Sequence, residues 1–257
     1  MPPKKSLGQH WLFDDASLNA MLEAGEVTDK DFVVEVGPGL GPLTKKLCAL
    51  AKKVVAVELD DILVAGLADK VRAANLEVIH ESILDFDTSS LPKGYKVIAN
   101  IPYYLTSNLI RRMLENPNPP SVMVLLIQKE VAERIAEGPG KMGILSVATQ
   151  FYADVTLKEL VATKLFTPPP KVDSQIIQIK LREIPLFPDV DAKVFFNIVR
   201  AGFSEKRKKL RSSLSGGLGI TKIEADQVLV GAEISSDARA QELNLNQWYK
   251  LYKQINA

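Results

Sequence analysis

Cysteine and histidine are almost missing from this chain: Cys48 is its one thiol, and His10 and His80 are its two imidazoles. A single thiol builds neither a disulfide framework nor a multi-cysteine metal site, and two histidines at this spacing make no metal centre. No metal is therefore expected. No uninterrupted apolar run approaches the roughly 20 residues that span a bilayer, so no membrane partner is expected. The start, Met1-Pro2-Pro3-Lys4-Lys5-Ser6, is basic but lacks the apolar stretch of a secretory signal, which points to a soluble cytoplasmic protein. Neither charge dominates: 32 basic and 31 acidic residues leave a net charge of +1. Only local clustering can then mark a nucleic-acid surface. What is present is an ordinary globular composition, 46% hydrophobic and 25% charged over 257 residues. That suits one large domain, or one of ordinary size with a small one attached.

The first half alternates short apolar runs with stretches of helical spacing. Phe32 to Val36, Val54 to Val57, Leu76 to Ile79, Val97 to Ala99 and Val122 to Ile127 carry little internal polarity, as strands covered on both faces do. Leu43 to Leu50, Ile62 to Ala74 and Ser107 to Leu114 read as the helices between them. Strand and helix in repetition predict a parallel, doubly wound α/β domain. After Gly143 the pattern changes. Phe151 to Val161 and Gln175 to Leu181 alternate apolar and polar residues, as strands near an exposed edge do. Between them Thr167-Pro168-Pro169-Pro170 is too stiff for helix or central strand. Glu183 to Pro188 reads as a linker, and Ala192 to the end as helical. The expected domains are 1–184 and 185–257.

Glu35-Val36-Gly37-Pro38-Gly39-Leu40-Gly41 follows the first strong strand and opens a helix. Glycines there let a ligand approach the backbone closely. A dinucleotide fingerprint would place its third glycine at position 42, where Pro42 stands and offers no N–H to a pyrophosphate. An acidic residue followed by Gly-x-Gly-x-Gly instead resembles the pattern of S-adenosylmethionine methyltransferases. Glu58 ends the next strand about 20 residues on, where a carboxylate can accept ribose hydroxyls in either enzyme class. A bare strand-to-helix turn is the alternative.

Asn100-Ile101-Pro102-Tyr103-Tyr104 stands at the C-terminal end of the fourth strand, the end where open α/β sheets bind ligands. The Asn100 side-chain oxygen and the carbonyl of Ile101 or Pro102 can accept both hydrogens of an exocyclic amine. That draws its lone pair out of conjugation. Tyr103 supplies a flat face on which a base can stack, a contact worth about 1–3 kcal/mol. No strong base is needed where positioning and electrostatics supply the rate.

With these residues the chain resembles the KsgA family of small-subunit ribosomal RNA adenine dimethyltransferases nearly end to end. Lys5-Ser6-Leu7-Gly8-Gln9-His10-Trp11-Leu12 is similar to the family's N-terminal cofactor segment, which normally ends Gln-Asn-Phe-Leu. Phe166-x-Pro168-x-Pro170-Lys171-Val172-x-Ser174 matches the segment whose Phe packs against the target base, and Phe203 to Arg211 is similar to a basic helix. The resemblance implies a Rossmann-like methyltransferase domain with a small all-α C-terminal domain. It implies S-adenosyl-L-methionine as cofactor, held by His10, Leu12, Glu35, Gly37, Gly39, Glu58, Ser82 and Asn100. It makes Asn100, Pro102, Tyr103 and Phe166 catalytic, with the flipped adenine clamped between Tyr103 and Phe166. The partner is small-subunit rRNA in the 30S particle, bound by Lys206, Arg207, Lys208 and Arg211 with Lys4 and Lys5 beside them. The protein is expected to be a monomer.

Two positions depart from the pattern. His10 replaces an Asn that hydrogen-bonds the cofactor, a role a neutral imidazole can keep. Ser82 stands where an Asp contacts the cofactor's adenine, so weaker binding with unchanged chemistry is expected. Trp11 covers the cofactor or packs under a lid, His80 is structural, and the N-terminal dozen residues close over a ligand. The rival readings are an Erm-type large-subunit methyltransferase, a non-enzymatic assembly or transcription factor on the same surface, and an NAD-dependent oxidoreductase, which Pro42 disfavours.

Overall fold

The computed structural model describes residues 8–205 and 207–256, so the expectations for Lys4, Lys5 and Lys206 lie outside it. From the N-terminus run β1 (Trp11–Leu12), α1 (Asp15–Ala24), β2 (Phe32–Val36), α2 (Pro42–Leu50), β3 (Lys53–Glu58), α3 (Asp61–Val71) and β4 (Leu76–His80). Then come β5 (Lys96–Asn100), α4 (Thr106–Leu114), β6 (Val122–Gln128), α5 (Lys129–Ala136), α6 (Ile144–Tyr152), β7 (Ala153–Val161), β8 (Phe166–Thr167) and β9 (Ser174–Leu181). Four helices finish the chain: α7 (Ala192–Gly202), α8 (Leu210–Leu218), α9 (Lys222–Gly231) and α10 (Leu245–Ile255).

The main sheet has the order β4-β3-β2-β5-β6-β9-β7. Its first five strands are parallel, as the near-continuous apolar runs require, with Val33, Val34 and Val36 of β2 and Val122 to Ile127 of β6 all buried. The expected α/β winding is therefore present. Gly41 caps α2 at φ +88°, and a side chain there would meet Leu67 Cδ1 at 2.9 Å. Sequence reasoning misses α1. Asp14 caps it by accepting the Ser17 N–H at 2.9 Å, and Leu18, Met21 and Leu22 bury against Leu12, Ile98 and Leu126. Truncating one such leucine to Ala costs about 2–5 kcal/mol.

Two expectations about the second half are corrected. β9 lies beside the edge strand β7 as expected, antiparallel to β6, but both of its faces are covered. Its polar residues are buried because they are satisfied: Gln178 Nε2 donates to the Ala24 carbonyl at 2.6 Å, and Gln175 Nε2 donates to that of Lys158. Alternation therefore imitated an exposed face. Phe151 belongs to the end of α6, and the strand begins at Ala153.

The chain divides into two compact units, one within Met1–Ala132 and Asp154–Leu181, the other within Glu133–Ala153 and Arg182–Ala257. A single cut between 184 and 185 does not describe this division. Met142, Val147 and Phe151 join the buried cluster of Phe195, Phe196, Leu214 and Trp248, so α6 shares its core with the C-terminal helices. Phe151 lies 4.8 Å from Phe195 between ring centroids, an aromatic packing that sequence distance hides.

Candidate active site

Strand order reverses between β2 and β5, which lie side by side and end at the same sheet edge. Such a switch point leaves a crevice beyond the strand ends. The chain fills the crevice rim with the turn after Val36 on one side and Asn100 to Leu105 on the other. A cavity of about 200 Å³ opens there. Every residue expected to hold a cofactor lines it: His10, Leu12, Glu35, Gly37, Gly39, Glu58, Ser82 and Asn100, with Pro102 and Tyr103 beside them.

Phe166 does not line the cavity. It is 4% exposed and pairs with Leu12 where β1 meets β8, inside the core of α1 and the sheet. A large apolar ring at a two-stranded junction gains more from burial than from facing a polar cleft. Phe166 thus stands apart from the lining that holds Tyr103.

The acidic groups are held differently. Glu58 Oε1 accepts the N–H groups of Leu59 and Asp60 at 2.9 and 3.0 Å, and Oε2 accepts that of Gly39 at 3.3 Å. His80 Nε2 donates to the Leu59 carbonyl at 3.2 Å, so it steadies this turn, as a structural histidine would. Glu35 is 1% exposed and its Oε2 has no hydrogen-bond partner. Burial, and then the nearby charge of Glu58, push its carboxyl up to about 8. Ser82 Oγ accepts the Leu84 N–H at 3.2 Å, which leaves its own O–H free to donate. Gly39, at φ +59°, brings the backbone under Trp11, whose Cδ1 would stand 3.3 Å from a side chain added there. Trp11 Nε1 is buried without a partner. An unpartnered acceptor and an unpartnered donor on one cavity wall suit a polar ligand bearing both kinds of group.

On the other wall Asn100 Nδ2 donates to the His10 carbonyl at 3.1 Å. The Tyr103 hydroxyl meets Ser174 Oγ at 2.8 Å, and burial raises its pKa. The Pro102 carbonyl accepts the Leu105 N–H at 3.0 Å, so the Ile101 carbonyl is the less committed acceptor. Sequence reasoning missed Gln9, which donates from Nε2 to Asp60 Oδ2 at 3.1 Å, and the 62% exposed Tyr104 at the cavity mouth. Asp60 was findable: it stands two residues after Glu58 and caps α3. Among the described residues, no group of three or more His, Cys, Asp or Glu is placed to hold a metal ion.

The described residues of the basic segment between α7 and α8 form turns and not a helix. Phe203 and Leu210 are buried in the C-terminal core as anchors, while the described residues between them turn. Arg207 and Lys208 are exposed, and Lys208 is ion-paired with Glu205. Arg211 Nη1 meets Asp226 Oδ2 at 2.9 Å. Lys209 is paired with Asp237. No helix among the described residues is long and apolar enough to cross a membrane.

The chain matches the family model described as ribosomal RNA adenine dimethylase over residues 2–257. It is 40% identical over 252 residues to the ribosomal RNA small subunit methyltransferase A of Dehalococcoides mccartyi (strain CBDB1), covering 96% of this chain and 87% of that protein. It is 36% identical to the protein of the same name from Clostridioides difficile (strain 630), covering 98% and 90%. Among solved structures it resembles a dimethyladenosine transferase from Plasmodium falciparum, with TM-score 0.83 and 27% identity over 96% of this chain and 98% of that one. It also resembles the 23S rRNA methyltransferase ErmE, with TM-score 0.76 and 25% identity over 96% and 100%. The motif resemblance therefore holds, and this chain belongs to the ribosomal RNA adenine dimethylase family.

Proposed function

We propose that this protein dimethylates N6 of two adjacent adenines near the 3′ end of small-subunit, 16S-type rRNA, using S-adenosyl-L-methionine, and acts in small-subunit biogenesis in the cytoplasm as a monomer. The observation that carries this reading is the placement of Asn100, Pro102 and Tyr103 in one cavity with the glycine turn and Glu58. The small-subunit target is favoured by relatives of that name at up to 40% identity.

When bound, S-adenosylmethionine supplies an electrophilic methyl group on a sulfonium centre. The residues present suit it: Glu58 would take ribose hydroxyls on Oε2, the less tightly engaged oxygen, and Glu35 Oε2 and Trp11 Nε1 await polar groups. Ser82 would meet the adenine through a neutral hydroxyl. Asn100 has its donor end spent on the His10 carbonyl, so Oδ1 is left to accept an N6 hydrogen. The Ile101 carbonyl accepts the second. Two neutral acceptors aimed at an amine localise its lone pair without removing a proton first. Tyr103, its hydroxyl held by Ser174, offers a ring face to the base. Arg207 would meet phosphates directly, while Lys208 and Arg211 would exchange surface carboxylates for them, a cheap trade because exposed pairs contribute only about 0–1 kcal/mol.

The test is methyl transfer from labelled S-adenosylmethionine to 30S particles lacking dimethyladenosine, with 50S particles alongside. Dimethyladenosine in 30S RNA alone supports the reading. Label in 50S RNA would move the protein to the Erm-type class. Tight 30S binding without transfer would leave an assembly factor.

A further inference from the structure

Tyr104 stands at the cavity mouth beside Tyr103, and the two rings sit differently. Tyr103 is held through its hydroxyl by Ser174 at 2.8 Å, whereas Tyr104 is 62% exposed. A side chain built on Gly8 would lie 3.7 Å from Tyr104 Cδ1 and Cε1, so Gly8 passes along one edge of the ring. A single exposed ring is ordinary on a protein surface. This one begins a row. The short 3₁₀ helix Tyr103–Leu105 runs directly into α4, whose Leu109, Ile110 and Met113 bury one side with Thr106. Tyr104, Asn108, Arg111 and Glu115 follow at spacings of four, three and four, which aligns them on the exposed side. Arg111 Nε donates to Glu115 Oε2 at 3.1 Å, and its guanidinium carries four further N–H donors. An aromatic face, an amide and a cation in one row are what single-stranded nucleic acid takes, stacking for a base and charge for a phosphate.

We propose that Tyr104 is the stacking platform for the nucleotide next to the target adenine, and that the row from Tyr104 through Asn108 to Arg111 carries the rRNA strand out of the cavity. The proposal rests on the methyltransferase reading above. That reading brings two adjacent adenines to one cavity. While one base lies on Tyr103, the sugar-phosphate chain holds the other at the mouth, where Tyr104 offers a second ring. Drawing the target out of its stack strips a face from its neighbour, and Tyr104 replaces that face. Stacking tolerates any base, so the platform serves whichever adenine is outside. From Tyr104 to Arg111 the helix rises about 10 Å, the length of about three stacked nucleotides.

The experiment is a ring series in the full chain, Tyr104→Phe, Tyr104→Leu and Tyr104→Ala, with Arg111→Ala alongside. Binding to 30S particles lacking dimethyladenosine is followed across a salt series, together with KM for 30S and S-adenosylmethionine Kd by calorimetry. Tyr104→Leu and Tyr104→Ala should weaken 30S binding and raise KM about 5- to 100-fold, with the salt slope unchanged. Tyr104→Phe keeps the face and should stay within about threefold of wild type. Cofactor Kd should move less than about threefold in every variant. Arg111→Ala should lower the slope of log K against log salt by about one. Wild-type 30S affinity in Tyr104→Ala would overturn the proposal. So would Tyr104→Leu matching Tyr104→Phe, because bulk without a face would then suffice. Cofactor Kd rising in step with KM would make Tyr104 a cover for the methyl donor instead. An unchanged salt slope in Arg111→Ala would remove the strand path beyond the mouth. If the wild-type chain binds 30S particles without methylating them, the functional reading falls and the ring series still decides the stacking. A wild-type chain that binds no 30S particle overturns both.

Discussion

The crevice at the β2–β5 switch point and the basic turn between α7 and α8 both carry charge, and they hold it in opposite ways. In the crevice Glu58 is 7% exposed and tied by three backbone N–H groups, and Glu35 is buried beside it. Asn100 and Tyr103 are fixed by chain far away in sequence, Asn100 by His10 and Tyr103 by Ser174. Around the basic turn the cations pair near the surface, Lys208 with Glu205 and, at the start of α8, Arg211 with Asp226. Buried polar groups in a dry pocket keep one geometry because every alternative leaves something unsatisfied. Exposed pairs are exchangeable and salt-screened. The first arrangement suits chemistry, which needs position, and the second suits a long phosphate backbone, which needs charge.

The largest test of this contrast is Asn100→Ala. Methyl transfer should fall about 100- to 1,000-fold, as when one preorganised polar group is removed, while cofactor Kd changes less than about threefold. A loss of only a few fold would break the claim that position in the crevice dominates. The next test is pH. Glu35 titrates at about 8 in the fold against 4.5 ordinarily. Between these values the native state keeps a proton that the unfolded chain has released. The resulting penalty is absent below pH 4.5, grows as pH rises and is complete above about 8. Glu35→Gln removes it, so Tm of the variant minus that of wild type should climb across this window, by about 2–4 °C per kcal/mol. A difference that stays flat in scanning calorimetry would contradict the burial argument.

Smaller effects sharpen the comparison. Ser82→Asp restores a charged acceptor at the crevice rim and should tighten S-adenosylmethionine about tenfold by calorimetry. No tightening would mean that Ser82 is not the weak partner. At the basic turn, Arg207→Ala should reduce the slope of log K against log salt for 30S rRNA by about one. Lys208→Ala should reduce it less, because Lys208 must give up Glu205 to reach a phosphate. Equal reductions would show that the surface pair does not compete.

Much of the fold was legible because apolar runs and glycine turns act locally. The five parallel strands fall within a residue of their expected ends, and Pro42 starts α2. The burial of β9 was not legible because Gln175 and Gln178 look like surface residues until their partners, Lys158 and Ala24, are known. The helix α6 was invisible as part of the C-terminal core for the same reason: Phe151 meets Phe195 only in three dimensions. Glu35, Glu58 and Asn100 of the cavity lining were legible at or near strand ends, whereas His10, Leu12 and Ser82 came only with the family resemblance. Phe166 stands outside the lining because its motif says nothing about which face of β8 it takes.

The sequence by itself determined the α/β winding, the turn after β2, the acid ending β3 and the Asn-Ile-Pro-Tyr set at the end of β5. These follow from periodicity, from φ preferences and from the rule that crevices form beyond strand ends. Only the tertiary structure decided what each group is doing there: the proton-holding burial of Glu35, the orientation of Asn100, the retreat of Phe166 into the core and the pairing of the basic turn. Desolvation and hydrogen-bond satisfaction depend on neighbours that are distant along the chain, and no local pattern encodes them.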